Sequence, residues 1–409
     1  MQIQEQLQMR KQKGFEIAQT EKVAMQGYKW LVPSQNTINK KYEVILYLDR
    51  QVCNCPDFIE RGLKCKHILA VEITITKEIS GSETKITQRI TYSQDWLNYD
   101  KAQTKQKELF MKLLHDLVQT IPEEPKQTGK GRPRLPIRDM AFSSALKVFT
   151  TFSLRRFMTD MRMANQLGYV KATPHFSMIS YHMEKEELTP ILRELITLSA
   201  LPLKSVETKF AIDSSGFRTT KFNEYCREKH DTKQQHKWLK AHICVGVKTN
   251  IITAVEITEG YSNDIKEFVP LTQRTYDNGF KIEEMTGDKA YNSKDNYNAI
   301  HELGGTAYIP FKTNASPWGN SSSKGAKAKL WRRMLNYFVY NKDEFMQHYH
   351  LRSNVEVTFF MIKSKFTDLI RSKDVIAQKN ELLLKVLCHN IVVLIQEMNE
   401  LGIEPNFLQ

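Results

Sequence analysis

The chain has 409 residues and a mass of 47.7 kDa, with 41% hydrophobic and 26% charged residues. This balance excludes a mostly disordered or collagen-like chain, and the length predicts two to four domains. Lysine and arginine number 59 against 46 aspartate and glutamate residues, so the net charge is +13 and the pI is near 9.2. A basic chain of this size indicates a polyanionic partner, with nucleic acid as the first candidate and an idle, scattered charge as the alternative.

The N-terminal residues 1–21 are rich in glutamine and lysine and lack the apolar core of a secretory signal. No stretch approaches the roughly 18–20 apolar residues of a membrane span. Six cysteines in 409 residues argue against a disulfide scaffold. The sequence therefore predicts a cytoplasmic protein.

The first region, residues 1–99, is predicted to be a small domain built around a cysteine cluster. Two stretches rich in β-branched and aromatic residues, 42–48 and 71–75, indicate strands there. Residues 68–71, directly after the cluster, are helix-like.

The second region, residues 100–208, is predicted to be helical. It contains a linker rich in proline and glycine at residues 121–135. The helical patterns that follow lie at residues 140–152, 154–167 and 180–198. The third region, residues 209–409, alternates short apolar strands with helical patterns, which indicates an α/β layer architecture. Residues 316–329, rich in serine and alanine, are predicted to form a mobile loop.

Three of the six cysteines lie close together, in two matched pairs. Cys53 and Cys55 form a C-x-C pair, and Cys65 and His67 form a C-x-H pair after nine intervening residues. Structural zinc sites take four nitrogen or sulfur ligands from the protein. Residues i and i+2 of an extended segment point to the same side, so each pair can present two ligands together, and Gly62 eases the return of the loop. The pairs predict a zinc site, with a reduced cysteine trio beside an unrelated histidine as the alternative.

This C-x-C and C-x-H pattern resembles the SWIM zinc finger, a small ββα module. The strand before the first pair and the helix-like residues after the second pair fit the resemblance. The resemblance implies a Zn²⁺ ion held by Cys53, Cys55, Cys65 and His67. It also implies binding of DNA or of protein, without deciding between them.

The linker contains the compact basic sequence Lys-Gly-Arg-Pro-Arg at residues 130–134. It resembles an AT-hook core, in which Arg132 and Arg134 would enter a narrow minor groove, while a solvated linker is the alternative. Basic residues on the helices that follow are expected to form an outer face able to lie along phosphates. They are Arg138, Lys147, Arg155, Arg156, Arg162 and Lys171, and the phenylalanines among them are expected in the core.

Two predicted strands of the third region each deliver an aspartate at their end. The strand at residues 210–213 ends in Asp213, and the strand at 282–288 ends in Asp288. Active sites of α/β sheets lie at the carboxyl edge of the strands, although a turn-forming or capping role is open for each residue. The intervening elements are predicted as strands at 238–247 and 251–257 and a helix at 264–276.

Tyr349, Arg352, Glu356 and Lys363 follow one another at spacings of 3, 4 and 7 residues. On one continuous helix all four side chains lie on one face. One acid would then be flanked by two cations and a phenol. Ordinary ion pairing between residues i and i+4 is the alternative reading of the Arg352 and Glu356 pair.

Together these residues resemble the DDE transposases of bacterial and archaeal insertion sequences, over roughly residues 132–390. The Y-x2-R-x3-E-x6-K string matches the signature of that family. The resemblance implies an RNase H-like catalytic domain, a mixed sheet with helices, within residues 209–409. Asp213 would lie on its first strand, Asp288 after its fourth, and Glu356 on a late helix. Only loop and helix are expected between Asp288 and Glu356, because the interval is short.

The resemblance also implies an activity: DNA strand cleavage and strand transfer that depend on Mg²⁺ or Mn²⁺. Asp213, Asp288 and Glu356 would bind two such ions through oxygen. Arg352 and Lys363 would hold phosphates, and Tyr349 would donate a hydrogen bond to the DNA backbone. The implied partners are double-stranded DNA, as element ends and target, and a second copy of the chain on that DNA in a prokaryotic nucleoid. A non-catalytic DNA-binding regulator and a structure-selective nuclease of the same fold are the alternatives.

The positive charge is concentrated in three segments. Residues 126–171 carry a net charge of +8, residues 218–248 carry +5, and residues 312–333 carry +6, so that the remainder of the chain is negative. The first segment covers the linker and the helical region, and the other two follow Asp213 and precede Glu356 in sequence. A DNA path that runs from the helical region across the acids would use all three segments.

Overall fold

The computed structural model describes residues 10, 12–19, 23–35, 37, 40–47, 50–80, 96–122, 134–220, 238–313, 315 and 326–407. The chain divides into two compact units. Unit 1 comprises Met1–Arg89 and Gly287–His350, and unit 2 comprises Ile90–Thr286 and Leu351–Gln409. The division into three domains at residues 99 and 208 stays a prediction.

The N-terminal part of unit 1 is a small antiparallel sheet followed by helices. Helix α1 spans residues 12–19. The strands are β1 (Ala24–Gln26), β2 (Lys29–Pro33), β3 (Lys41–Leu46) and β4 (Gln51–Cys53), and they lie in this order in the sheet. Helices α2 (Pro56–Arg61) and α3 (Lys66–Ser80) follow. Along β2, Trp30 and Val32 are buried while their neighbours are half-exposed, so one face of the sheet packs inward.

Helix α3 shows that the strand predicted at residues 71–75 is wrong. Valine, isoleucine and threonine favour strands when only their intrinsic preference is considered. Here Ile68, Val71 and Ile75 are buried at helical spacing, so one helix face packs against the core. Packing of that face outweighs the small helix penalty of β-branched residues.

The second part of unit 1 is mainly helical. It contains α11 (Lys294–Glu302), β9 (Thr306–Tyr308), α12 (Ala326–Tyr340) and α13 (Lys342–Tyr349). The helices agree with the prediction for the interval between the second and third acids, but the short strand β9 shows that the interval is not loop and helix alone. The loop predicted at residues 316–329 is too long, because α12 already begins at Ala326. Residues 316–325 lie outside the described residues.

Unit 2 begins with helices. They are α4 (Trp96–Thr104), α5 (Gln106–Val118), α6 (Ile137–Thr150), α7 (Leu154–Gln166), α8 (Phe176–Met183) and α9 (Leu188–Ala200). Helices α6 and α7 agree with the predicted ones, but the single helix predicted at residues 180–198 is wrong, because α8 and α9 are separate. The Asn380 amide donates to the carbonyls of Met183 and Lys185 at 2.9 and 3.2 Å, which stabilises the non-helical backbone between α8 and α9. Pro190 then lies in the first turn of α9, where its missing N–H costs no helical hydrogen bond.

The sheet of unit 2 carries the first acid. Its strands are β5 (Lys209–Arg218), β6 (Trp238–Gly246), β7 (Ile252–Glu259) and β8 (Glu284–Gly287), and within the unit they lie in the order β7, β6, β5, β8. Strand β6 is antiparallel to both β5 and β7. The N–H of Glu283 donates to the Thr208 carbonyl at 2.8 Å, and the Thr286 hydroxyl donates to the Phe210 carbonyl at 3.2 Å. Residue numbers therefore rise together along β8 and β5, which means that these two strands run parallel.

Helices cover this sheet. Helix α10 (Ile265–Asp277) packs on β6 and β7, and α14 (Ser353–Phe366) packs on β5 and β6. Helix α15 (Val375–Glu400) packs against β7 and against α4, α5, α6, α8 and α9. A helix surrounded by neighbours is apolar around most of its circumference, and residues 382–391 are all buried. In the described part of the chain, no helix is long and apolar enough to cross a membrane.

Candidate metal centres and nucleic-acid interface

The four predicted zinc ligands lie together in unit 1. Their ligand atoms are all within 4.8 Å of one another, and all four residues are buried. Cys53 ends β4, and Cys55 precedes α2 with extended backbone (φ −79°, ψ 151°), as the C-x-C geometry predicts. Cys65 immediately precedes α3, whereas His67 lies in the first turn of that helix and not in an extended segment. Gly62, at φ +65°, adopts the left-handed conformation that turns the loop back.

The sulfur and nitrogen atoms of the cluster lie close enough to interact with one another. The His67 Nδ1 atom lies 3.9 Å from the Cys65 Sγ and 4.0 Å from the Cys53 Sγ. A hydrogen bond from Cys53 lowers the pKa of the Cys65 thiol to about 4, and the same interaction raises the pKa of Cys53. The Tyr42 ring packs on the His67 ring, with 4.5 Å between their centres. Three sulfurs and one imidazole are the donor set of a closed structural zinc site, so the residues present fit Zn²⁺.

In unit 2, Asp213 and Glu356 share one guanidinium group. The Arg352 Nη1 atom donates to the Asp213 Oδ2 at 2.6 Å, and its Nη2 donates to the Glu356 Oε1. Asp213 lies within β5, opposite Ile243 of β6, and Glu356 lies in the first turn of α14. The Asp213 side chain is 21% exposed and that of Glu356 is 58% exposed, so solvent reaches the pair. A carboxylate from a strand and another from a helix that share one cation are suited to a hard divalent cation.

Lys363 lies on the same side of β5 as Asp213. Its Nζ atom donates to the Ser215 hydroxyl at 2.7 Å and lies 5.1 Å from the centre of the Phe217 ring. Asp213, Ser215 and Phe217 alternate along the strand, so they share one face. Burial lowers the pKa of the Lys363 ammonium. Sequence reasoning missed Ser215 because it ended the strand at Asp213, and that boundary is wrong, since β5 continues to Arg218.

The single helix predicted for the four-residue string is wrong. Tyr349 ends α13, a 3₁₀ turn spans His350–Arg352, and Glu356 and Lys363 lie on α14. The Asn354 side-chain amide donates to the Leu351 carbonyl at 3.0 Å. In a continuous helix this carbonyl would accept a backbone N–H instead. Tyr349 consequently belongs to unit 1, and Arg352, Glu356 and Lys363 belong to unit 2.

Asp288 directly follows β8 and is the second residue of the unit 1 segment that begins at Gly287. It is half-buried, and one of its carboxylate oxygens accepts the N–H of Lys289 at 2.6 Å. Asp288 thereby caps the short 3₁₀ turn Lys289–Tyr291. The location after the fourth strand of the sheet agrees with the sequence prediction. The cap is the ordinary role of an aspartate after a strand, and it engages one of the two oxygens.

The end of α14 is anchored by residues that sequence reasoning missed. Asp368 forms a bidentate ion pair with Arg218 at 2.7 and 2.9 Å. The Lys385 Nζ atom donates to the carbonyls of Thr367 and Leu369 at 2.9 and 2.8 Å. Burial lowers the pKa of Lys385 to about 8. A lysine within the apolar run at residues 382–387 was the available signal, because a buried ammonium needs acceptors.

The basic segment is only partly described. Arg132 lies outside the described residues, and Arg134 is exposed. Among the helical cations, Arg155, Arg156, Arg162 and Lys171 are exposed, in agreement with the predicted outer face. Lys147 contradicts that prediction, because it is buried among core residues of α6, and this burial lowers the pKa of its ammonium. Phe152 is 48% exposed, so it is not the core residue that the pattern suggested.

Two protein-family models match the chain. Residues 204–391 match the transposase DDE domain, and residues 42–75 match the SWIM zinc finger. The first interval contains Asp213, Asp288 and Glu356, and the second contains the complete cysteine–histidine cluster. Comparison with curated proteins and with solved structures gave no match.

These matches assign two domains to the chain, and the larger one supports an enzyme of the nuclease or transposase class. The chain carries a DDE transposase domain of RNase H-like fold and an N-terminal SWIM zinc finger, as the sequence predicted. The antiparallel strands around the cysteine–histidine cluster and the mixed α/β sheet of the DDE domain agree with the predicted fold class. A transposase domain implies DNA as the partner and a divalent metal in the catalytic site.

Proposed function

We propose that the chain is a DNA transposase that cuts DNA at the ends of its element and joins the freed 3′ ends to target DNA. The transposase DDE domain supports this class of reaction. The observation that carries the assignment of the site is the pair of carboxylates on Arg352. Asp213 and Glu356 come from different elements, 143 positions apart in sequence, and both bind one cationic group.

Asp288 is proposed as the third carboxylate of the site. Two observations support it: Asp288 follows β8 directly, and β8 runs parallel to β5, which carries Asp213. All three acids fall within the matched domain. Mg²⁺ or Mn²⁺, as two ions, is the proposed metal, because three carboxylates supply the oxygen ligands that hard cations prefer.

The residues of the site have separate proposed roles. Bound divalent ions would activate the attacking oxygen and stabilise the leaving oxygen in an in-line displacement at phosphorus. Arg352 holds the two acids when no metal is bound, and its guanidinium would turn to a DNA phosphate when the acids are released. Lys363, beside Ser215, supplies a second cation on the same face of β5. Tyr349 would donate its hydroxyl to the DNA backbone.

DNA outside the site is proposed to follow the basic residues of unit 2. Arg155, Arg156, Arg162 and Lys171 are exposed and suited to phosphates. Arg132 and Arg134 are proposed as minor-groove contacts of the preceding linker. The working complex is proposed to be a homodimer on paired element ends, located at the nucleoid of a prokaryotic cell.

The test uses the full chain and a duplex that carries the inverted repeats flanking its gene. With Mg²⁺ or Mn²⁺ we expect nicking at the repeat ends and strand-transfer products. Asp213→Asn, Asp288→Asn and Glu356→Gln should each reduce cleavage by at least roughly 1,000-fold, since each removes a charged metal ligand. Asp277→Asn and Glu302→Gln, in exposed acids on other helices, are matched controls that should keep activity.

The products separate the possible outcomes. Cleavage retained in all three carboxylate variants would refute the proposed site. Cuts without any strand transfer would identify a nuclease of the same fold. Binding to the repeats without metal-dependent cleavage would identify a non-catalytic regulator.

A further inference from the structure

Within unit 1, the zinc-finger helix lies against a helix from a distant part of the chain. Helix α3 packs on α12, and the Tyr340 hydroxyl of α12 donates to the Tyr47 carbonyl, just after β3, at 3.0 Å. Tyr47 and Tyr340 are 293 positions apart in sequence. The SWIM finger therefore has a protein surface as its neighbour within the same chain, and that surface belongs to the segment Gly287–His350.

Helix α12 is in turn fixed to the rest of that segment by aromatic side chains. Phe345 of α13 lies 5.1 Å from Phe338 and 5.9 Å from Tyr337, measured between ring centres. Tyr308 of β9 stacks on His348 of α13 at 4.2 Å and 8°. Displacement of α12 would thus also disturb α13, which ends at Tyr349.

The metal cluster lies at the start of the helix that makes this contact. Cys65 and His67 flank Lys66, the first residue of α3, and Cys53 ends the strand paired with β3. Strands β1 to β4 are only three to six residues long, so the sheet alone supplies a small core. Small domains of this kind commonly depend on a metal for their folding free energy. Loss of the ligand geometry would release the first turn of α3 and its contact with α12.

We infer that the partner of the SWIM finger is the chain's own segment 287–350, and that zinc binding by the finger is required to keep α12 and α13 ordered. The consequence for activity rests on the proposed function, because Asp288 and Tyr349 lie in this segment. The link between zinc binding and the order of α12 and α13 does not depend on that function. The zinc-bound finger then stabilises the helices that lie between Asp288 and Glu356 in sequence.

Hydrogen–deuterium exchange of the full-length chain tests this inference. Chelation of zinc from the zinc-loaded protein should accelerate amide exchange at least about 10-fold in peptides from α3 and, with it, in peptides from α12 and α13. Peptides from α15 in unit 2 should keep their protection, and readdition of Zn²⁺ should restore the original rates. Cys55→Ser should reproduce the effect of chelation, whereas Cys244→Ser, at a buried free cysteine of β6, is the matched control.

Tyr340→Phe keeps all four ligands and removes one hydrogen bond of the contact. It should leave the zinc content unchanged and accelerate exchange in α12 by about 2- to 10-fold. Exchange that rises in α3 alone after chelation would overturn the inference. Protection of the finger by added duplex DNA, with α12 unchanged by zinc removal, would identify DNA as its partner instead. DNA cleavage is not read in this experiment, so a failed coupling and a failed transposase assignment remain distinguishable.

Discussion

Replacement of Arg352 by alanine is expected to strengthen Mn²⁺ binding by the chain in the absence of DNA. The Arg352 guanidinium occupies one oxygen of Asp213 and one of Glu356. A divalent ion that binds the same carboxylates must displace this group first. Without Arg352 the two acids lose their internal counter-charge, and their mutual repulsion favours any cation that replaces it.

The size of this effect follows from the exposure of the two contacts. Arg352 and Asp213 are 20% and 21% exposed, and a charged hydrogen bond of this kind contributes about 1.5–3 kcal/mol. Glu356 is 58% exposed, so its contact contributes only about 0.2–1 kcal/mol. Part of the total is recovered when the displaced arginine is hydrated. The remaining gain of about 1.5–3 kcal/mol corresponds to a roughly 10- to 100-fold lower Kd.

Titration of the full chain with Mn²⁺, followed by electron paramagnetic resonance of the free ion, measures this change. Arg193→Ala is the matched control, because Arg193 also pairs with a half-buried carboxylate, Glu256, which retains Arg274 as a second partner. That variant should bind Mn²⁺ as the native chain does. Unchanged or weaker Mn²⁺ binding by a folded Arg352→Ala variant would refute the reasoning. DNA cleavage by the same variant should fall, because the proposed phosphate contact is lost.

Three further predictions concern stability and DNA binding. A Cβ atom at Gly260 would lie 2.1 Å from the Trp238 Nε1, whereas a Cβ atom at Gly216 would lie 3.4 Å from the same ring. Gly260→Ala should therefore lower the free energy of unfolding by about 1–3 kcal/mol, and Gly216→Ala by less than about 1 kcal/mol. Equal losses in thermal unfolding would contradict this geometry. Burial raises the pKa of the Glu397 carboxyl to about 7 from its ordinary 4.5. The folded chain therefore binds the carboxyl proton more tightly than the unfolded chain does, and the free energy of unfolding falls as the pH rises from 4.5 to about 7. Glu397→Gln should reduce the difference in free energy of unfolding between pH 5 and pH 8 by about 2 kcal/mol. The same difference in the variant as in the native chain would contradict this prediction. Lys363→Met should lower DNA affinity and reduce the salt slope by about 1, and an unchanged slope in a binding titration would exclude a phosphate contact.

The elements that sequence predicted well depend on short-range patterns. The zinc ligands are two pairs with fixed internal spacing, and Gly62 supplies the turn that brings the pairs together. The position of Asp213 on the first strand of the sheet followed from an apolar run that ended in an acid. Helices α6 and α7 have apolar residues at helical spacing along their full length. In each case the information lies within about a dozen neighbouring residues.

The errors arose where distant residues decide the local structure. The break between α8 and α9 is held by Asn380, nearly 200 residues away. Residues 71–75 form a helix because a buried core accepts one helical face of Ile68, Val71 and Ile75. Lys147 is buried rather than exposed, and Glu381 of α15 supplies an opposite charge near it. Periodicity in a single segment contains none of this information.

The two predicted metal centres differ in how their charge is balanced without metal, and this difference assigns them separate tasks. Asp213 and Glu356 share Arg352 as an internal cation, so the protein itself balances one of their two negative charges. In the proposed catalytic site a divalent ion could then enter and leave without loss of the fold. In the buried zinc cluster the Cys53 hydrogen bond stabilises one thiolate, that of Cys65, and any further thiolate depends on a cation from solution. Strong chelation should therefore disturb unit 1 structurally, whereas removal of Mg²⁺ alone should stop the reaction and leave unit 2 folded.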